Sequence, residues 1–439
     1  MDLSLTGHAE RGAAPRRSDS TAFPLPAGVN PLDRIAVLDI LRGLALLGMF
    51  AVHFNYYEAT PSGVDPGRAA ALVERLLGLF VEERFYGIFG MLFGVGFAVQ
   101  LERSTARGER FLAKYLRRLA ALAVFGFIAE GIFGFNVLFG YAMWGVPLLL
   151  VRRWPVKALV VLLILCAAAR PIYSVTRIAI AGTTADGVAR FTEGERAQLA
   201  AYRAARDSLD EAARSGSWRT VVAARLEFMP KFHRQWSLLP NGSFTLFLLG
   251  LIAWRLGLFT RPGQHRPLIV ALIGFGVLSS ALATFVMPFG GPVTPPLPTD
   301  PPVPTALMRF ARYGFTLLRP QWLAFAYVGT ILLLVARNPA WQQRLSWFGW
   351  AGRLALTNYM AQVILLEVLF TPHGFGLEVP ATLVFPAAVT LFVAQAWFSR
   401  WWLSRYRYGP LEWVWRTATT WSAQPLRRES PALVPRMAA

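Results

Sequence analysis

Cysteine is almost absent from this chain. Cys166 is the only one among 439 residues, which excludes a small disulfide-stapled fold. Charge is scarce as well: 16% of residues are Asp, Glu, Lys or Arg and 55% are hydrophobic, against about 25% charged in soluble domains. With a mean hydropathy of +0.42, that balance excludes a soluble enzyme. It also excludes disorder over most of the length, because a disordered chain needs low hydrophobicity. Lysine is confined to Lys114, Lys157 and Lys231, so the net charge of +19 is carried by arginine. Missing too are a Gly-x-Ser-x-Gly elbow, a phosphate-binding Gly-Lys-Ser/Thr loop and His and Cys at metal-ligand spacing, so no metal site is expected.

What the chain has is a series of apolar stretches near the roughly 20 residues that cross a bilayer. They fall at 35–54, 85–101, 119–135, 137–151, 156–173, 243–259, 268–289, 321–335, 354–370 and 381–403. Every second loop is basic: Arg103 to Arg118, Arg152 to Lys157, Arg255 to Arg266, Arg337 to Arg353, and the tail from Arg405 to Arg428. Short cytoplasmic loops carry such an excess. The expectation is therefore an all-α polytopic membrane bundle of about ten transmembrane helices with both termini cytoplasmic. The positive charge then faces anionic lipid, with the bilayer and not nucleic acid as the partner.

The expected organisation is a disordered cytoplasmic leader at 1–34, spans one to five at 35–173, an extracytoplasmic amphipathic helical segment at 174–240, spans six to ten at 241–403, and a cytoplasmic tail at 404–439. Within 174–240 the stretch from Asp186 to Arg214 reads as one amphipathic helix. The segment GGPVTPPLPTDPPVP at 290–304 reads as an extended loop or lid, since proline removes a helix donor.

Ionisable and polar residues inside spans are costly, so each is a candidate for function. Asp39 and Arg42 share a face of the first span, as an ion pair or as a binding site. His53 lies fourteen residues beyond Asp39, roughly 21 Å along the helix. The ninth span carries Asn358, Gln362 and Glu367, the first two either packing helices together or binding a ligand. Glu367 stands fourteen residues beyond Arg353, the same depth relation, so a His53–Glu367 pair is allowed in which the carboxylate sharpens the imidazole as a base. Glu130 and Asn136 are further candidates. His233 in KFHRQW and His373 in TPHGFG read as ordinary loop histidines. In the tail, Glu412 and Arg416 of the Gly409-Pro410 motif read as a clamp, Glu412 to Arg42 and Arg416 to Asp39.

Four segments carry a resemblance: LDILRGLALLGMF at 38–50, ERFYGIFGMLFGVGFAV at 83–99, GRLALTNYMAQ at 352–362 and YRYGPLEWVWR at 406–416. They resemble the YeiB-like family of bacterial multispan membrane proteins, the domain of unknown function 418. SGSWRTVVAAR, with Gly216, Trp218 and Arg225, is similar to the family's outer region. The family is distantly similar to transmembrane acyltransferases, both sugar N-acetyltransferases of the heparan-glucosaminide type and O-acyltransferases of acyltransferase family three. In the latter an Asp, an Arg three residues on and a His follow at a spacing like that of Asp39, Arg42 and His53. YeiB-like proteins usually have Asn at the position of His53.

The resemblance implies an acyltransferase that takes an acyl group from cytoplasmic acyl-CoA, a co-substrate and not a bound cofactor, to a sugar or lipid acceptor at the far face. His53 would be the catalytic base, oriented by Glu367 or Glu130. Asp39, Arg42, Asn136, Asn358, Gln362 and Arg353 would bind substrate, with Arg42 on the CoA phosphates. The other reading is a small-solute transporter in which the same residues line a path and His53 relays protons.

Overall fold

The computed structural model describes residues 35–55, 67–82, 84–135, 137–184, 186–214, 216–236, 242–286 and 322–428. The expected leader, the proline-rich loop and Asn136 lie outside them. The described residues are helical: α1 Ala36–Asn55, α2 Gly67–Phe80, α3 Arg84–Ala106, α4 Phe111–Gly131, α5 Val137–Gly145, α6 Leu148–Val151, α7 Val156–Ala181, α8 Gly187–Arg214, α9 Trp218–Trp236, α10 Gly242–Arg255 and α11 Arg266–Val286. After them come α12 Leu323–Arg337, α13 Ala340–Arg344, α14 Ser346–Arg353, α15 Ala355–Phe370, α16 Ala381–Arg405 and α17 Pro410–Thr420. The all-α expectation holds.

Helix α1 is apolar around nearly its whole circumference, which belongs to a helix buried on every side. It sits in the middle, packed on α14, α3, α16 and α15. Its closest approach is to α14. A Cβ on Gly43 would collide with the Phe348 carbonyl, and one on Gly352 with the Asp39 carbonyl. Small residues let helix backbones meet this closely. Around this centre, α7, α11 and α16 turn large apolar side chains outward, among them Ile164, Leu278 and Trp397 at 61%, 70% and 63% exposure. A water-soluble monomer does not carry so much contiguous apolar surface.

By length and composition, three segments of the described residues suffice to cross a membrane: Ala36–Phe54, Gly67–Ala106 and Thr382–Arg405, with α14 and α15 a fourth if the bent pair is one span. Five further expected spans are shorter apolar helices, such as Gly242–Arg255 with 14 residues, about 21 Å against a hydrocarbon core of about 30 Å. The expected span at 137–151 divides into α5 and α6 next to Pro147, which cannot donate to the preceding turn. The expected span at 354–370 is only the second limb of a helix that bends by 82° after Arg353.

That bend explains the tail motif. Helix α15 starts inside the bundle, and its first amides have no partner within the helix. Glu412 supplies one from far along the chain. Its carboxylate accepts from the amides of Leu356 at 2.7 Å and Thr357 at 3.0 Å and from the Thr357 hydroxyl. Gly409 precedes α17 and Pro410 opens it, the arrangement in which proline's missing donor costs nothing. Glu412 therefore lies in the first turn of α17 while capping α15, so two helix N-termini converge on one carboxylate. Burial pushes its pKa up, and the hydrogen bonds from Thr357 and Leu356 oppose that.

The expected clamp is thereby corrected: Arg42 bonds Asp39 of its own helix at 2.9 Å, and Arg416 lies over the Tyr408 ring, 4.9 Å from its centre. A buried carboxylate beside free amides takes the amides. Glu412→Ala should lower the unfolding free energy in detergent by about 2 kcal/mol. The charge swap Arg42→Glu with Glu412→Arg should recover none of it, and recovery would restore the clamp.

Candidate functional site

Three helices end together at the far end of α1. His53 is in the last turn of α1, Glu130 in the last turn of α4 and Glu367 in the last turn of α15. Helix C-termini present unpaired carbonyls and a partial negative charge, and favour cations. Here that end also holds two carboxylates, at 6% and 3% exposure. Buried charge must be paired.

Helix α9 supplies the pairing. Val221, Arg225, Met229 and His233 recur every four residues, so they fall on one face. Val221 and Met229 are buried, and Arg225 and His233 share their face. The Arg225 guanidinium is bidentate on Glu367, at 2.6 and 3.1 Å, and also donates to the Ile132 carbonyl at the open end of α4. Gly134 makes room: α4 unwinds through it at φ +81°, and a Cβ there would stand 3.2 Å from Arg225 Nε. His233 Nε2 lies 2.8 Å from both oxygens of Glu130. From the turn after α15, His373 Nε2 reaches Glu367 at 2.8 Å. Neither histidine is the ordinary loop residue that its sequence context suggests.

His53 lies beside this cluster, its ring centre 4.4 Å from that of Phe135 and 6.1 Å from that of Tyr359. Its Nδ1 is buried with no hydrogen-bond partner among the described residues. The expected His53–Glu367 pair does not form, because Arg225 and His373 occupy that carboxylate. Equal depth does not give two helices the same azimuth.

The other candidates divide by place. Asn358 donates to the Ala351 carbonyl across the bend and to Ser399 of α16, at 2.9 and 3.0 Å. Gln362 donates to Gln395 of α16 at 2.9 Å. Their side-chain amides hold α15 in place. Arg353 closes α14 at the bend. At the opposite end of α1 from His53, Arg42 and Arg416 both lie within electrostatic reach of Arg118. Arg118 is stacked 3.9 Å over the Trp415 ring, and Trp415 Nε1 donates back to the Arg118 carbonyl at 2.9 Å. Arg225, His233, His373 and Tyr359 were not singled out as site residues. The signal for the first two was legible: cations eight residues apart, each four residues from an apolar position of the same stripe.

Comparison with known proteins bears out the family resemblance. Residues 253–422 match the family described as "Protein of unknown function (DUF418)", and residues 34–188 match "Heparan-alpha-glucosaminide N-acetyltransferase, catalytic". The chain is 28% identical over 425 residues to the uncharacterized protein YxaH of Bacillus subtilis (strain 168), covering 91% of this chain and 97% of that one. It is 29% identical over 399 residues to an uncharacterized 39.9 kDa protein of Bacillus acidopullulyticus, covering 88% and 94%. A 74-residue stretch is 35% identical to the uncharacterized protein YeiB of Escherichia coli (strain K12), covering 17% and 19%. No solved structure matches.

Removing one partner of a buried ion pair strands the other. Arg225→Met should therefore cost about 3–5 kcal/mol of stability, and Arg225→Met with Glu367→Gln should cost clearly less than the single change. Thermal unfolding of the three proteins in one detergent checks this. Additive losses would show that the two side chains are not coupled.

Proposed function

We propose that this chain is a membrane acyltransferase, moving an acyl group, acetyl in the simplest case, from acyl-CoA at the Asp39 end of the bundle to a sugar or lipid acceptor at the His53 end. The reading is carried by the match of residues 34–188 to an N-acetyltransferase catalytic segment, because that segment holds Asp39, Arg42, His53 and Glu130. The basic loops favour an orientation with the Asp39 end in the cytoplasm, where acyl-CoA is available, and the His53 end at the outer face of a bacterial inner membrane.

The geometry supplies a part for each group. Arg42, Arg118 and Arg416 together carry more positive charge than Asp39 neutralises, and the phosphates of CoA would balance the excess. Asp39 holds Arg42 in place. From there the pantetheine arm must cover the fourteen residues to His53, about 21 Å. His53 takes the proton of the acceptor hydroxyl or amine as that atom attacks the thioester carbonyl, and passes it to the departing CoA thiolate. Glu130 fixes His233 on the acceptor side. Glu367, through Arg225, keeps α9 closed over the reacting atoms, which limits hydrolysis by water.

Purified protein in proteoliposomes should release CoA from acetyl-CoA and transfer the label to an added amino sugar or lipid acceptor. His53→Ala should slow this by about 10²–10⁴-fold, and Arg416→Ala should raise the KM for acetyl-CoA with kcat nearly unchanged. A wild type that neither turns over nor binds acetyl-CoA would contradict the reading.

A further inference from the structure

The buried tyrosines of this chain show what is unusual about one of them. A phenol hydroxyl taken out of water keeps a hydrogen-bond partner as a rule. Tyr115 follows it, donating to the Gly145 carbonyl at 3.1 Å, and so does Tyr141, donating to the Tyr86 carbonyl at 3.3 Å. Tyr359 does not. Its side chain is 1% exposed and its hydroxyl has no partner among the described residues.

An unpartnered group beside it lies on a different helix. The Tyr359 ring meets the His53 ring edge-on, with centres 6.1 Å apart at 68°, and His53 Nδ1 is likewise buried without a partner. One turn along α15, on the face of Tyr359, Gln362 keeps a second buried atom unbonded, its Oε1. Glu130 is within electrostatic reach of Tyr359, but both its oxygens are on His233. The charged groups of this end are thus committed to one another, and the neutral donor and acceptor atoms between α1 and α15 are left without a group to bind.

We infer that Tyr359 is a second catalytic residue of the acyl transfer, its hydroxyl donating to the acyl carbonyl oxygen as that oxygen becomes an oxyanion. This rests on the acyltransferase reading. The acceptor oxygen or nitrogen bonds to the thioester carbon, its proton passes to His53, and the carbonyl electron pair moves onto the oxygen that Tyr359 holds. When the oxyanion collapses, the carbon–sulfur bond breaks and the thiolate leaves with the proton from His53. A donor already fixed and dry before the charge develops is the arrangement that stabilises such a transition state.

Tyr359→Phe removes the hydroxyl and keeps the ring. It should lower kcat by about 10²–10³-fold, leave the KM for acetyl-CoA within about twofold, and unfold no earlier than wild type, because a stranded polar atom is lost and not a bond. Tyr115→Phe, which does lose a bond, should unfold earlier and keep its turnover. As a binding readout, a trifluoromethyl-ketone analogue of acetyl-CoA, whose hydrate resembles the tetrahedral intermediate, should bind wild type at least about tenfold tighter than it binds Tyr359→Phe, while CoA binds both alike. Full kcat or undiminished analogue binding in Tyr359→Phe overturns the assignment and leaves the acyltransferase standing. A wild type inert to acetyl-CoA and blind to the analogue overturns both.

Discussion

A helix that begins against an apolar bundle sets its first amides where water is scarce, and the part-buried carboxylate of Glu412 satisfies those of α15. The rest of the architecture follows from that contact. Because the amides of Leu356 and Thr357 are satisfied from the tail, the chain can bend by 82° between α14 and α15 and send the two limbs to different work. The first limb lies against α1, backbone to backbone through Gly43 and Gly352. The second carries Tyr359 and Glu367 to the other end of the molecule. The two C-terminal segments that carry the family likeness are the cap and the helix it caps.

At the His53 end the same physics applies with the sign reversed. Helix C-termini and two buried carboxylates gather there, and α9 answers with a guanidinium that satisfies both a carboxylate and a terminal carbonyl. Such groups survive in an apolar setting only when each has a partner. What remains unsatisfied among the described residues there is a small set of polar atoms, on His53, Tyr359, Gln362 and His373, and the His53 and Tyr359 rings meet edge-on between α1 and α15. On the acyltransferase reading, vacant neutral groups of this kind beside an already neutralised charged frame suit a polar, uncharged thioester on which charge must develop.

Much of this was legible in the sequence. The composition and the apolar runs lead to an all-α bundle, and the three-residue spacing of Asp39 and Arg42 brings them together as expected. Span lengths were less legible, since the break at Leu354 depends on Glu412 from the distant tail, whereas the one at Pro147 follows from the proline itself. Depth counted along a helix placed His53 and Glu367 at the same end and still paired them wrongly, because rise per residue says nothing about rotation between helices. The clamp between Glu412 and Arg42 failed for a related reason: charge matching ignores backbone amides, which outnumber guanidinium groups. Arg225 and His233 show the opposite case, a periodic signal present in α9 that only the packing of α9 on α4 makes meaningful.

The most direct test of the central claim, one site joining both ends of α1, is a cryo-electron-microscopy map of the protein in lipid nanodiscs with an acetyl-CoA analogue bound. The account predicts phosphate density among Arg42, Arg118 and Arg416, pantetheine density along α1, and an acyl carbon about 3–3.5 Å from a position that an acceptor atom bonded to His53 would hold. Analogue bound elsewhere on the protein, or an unoccupied bundle at saturating concentration, would contradict it.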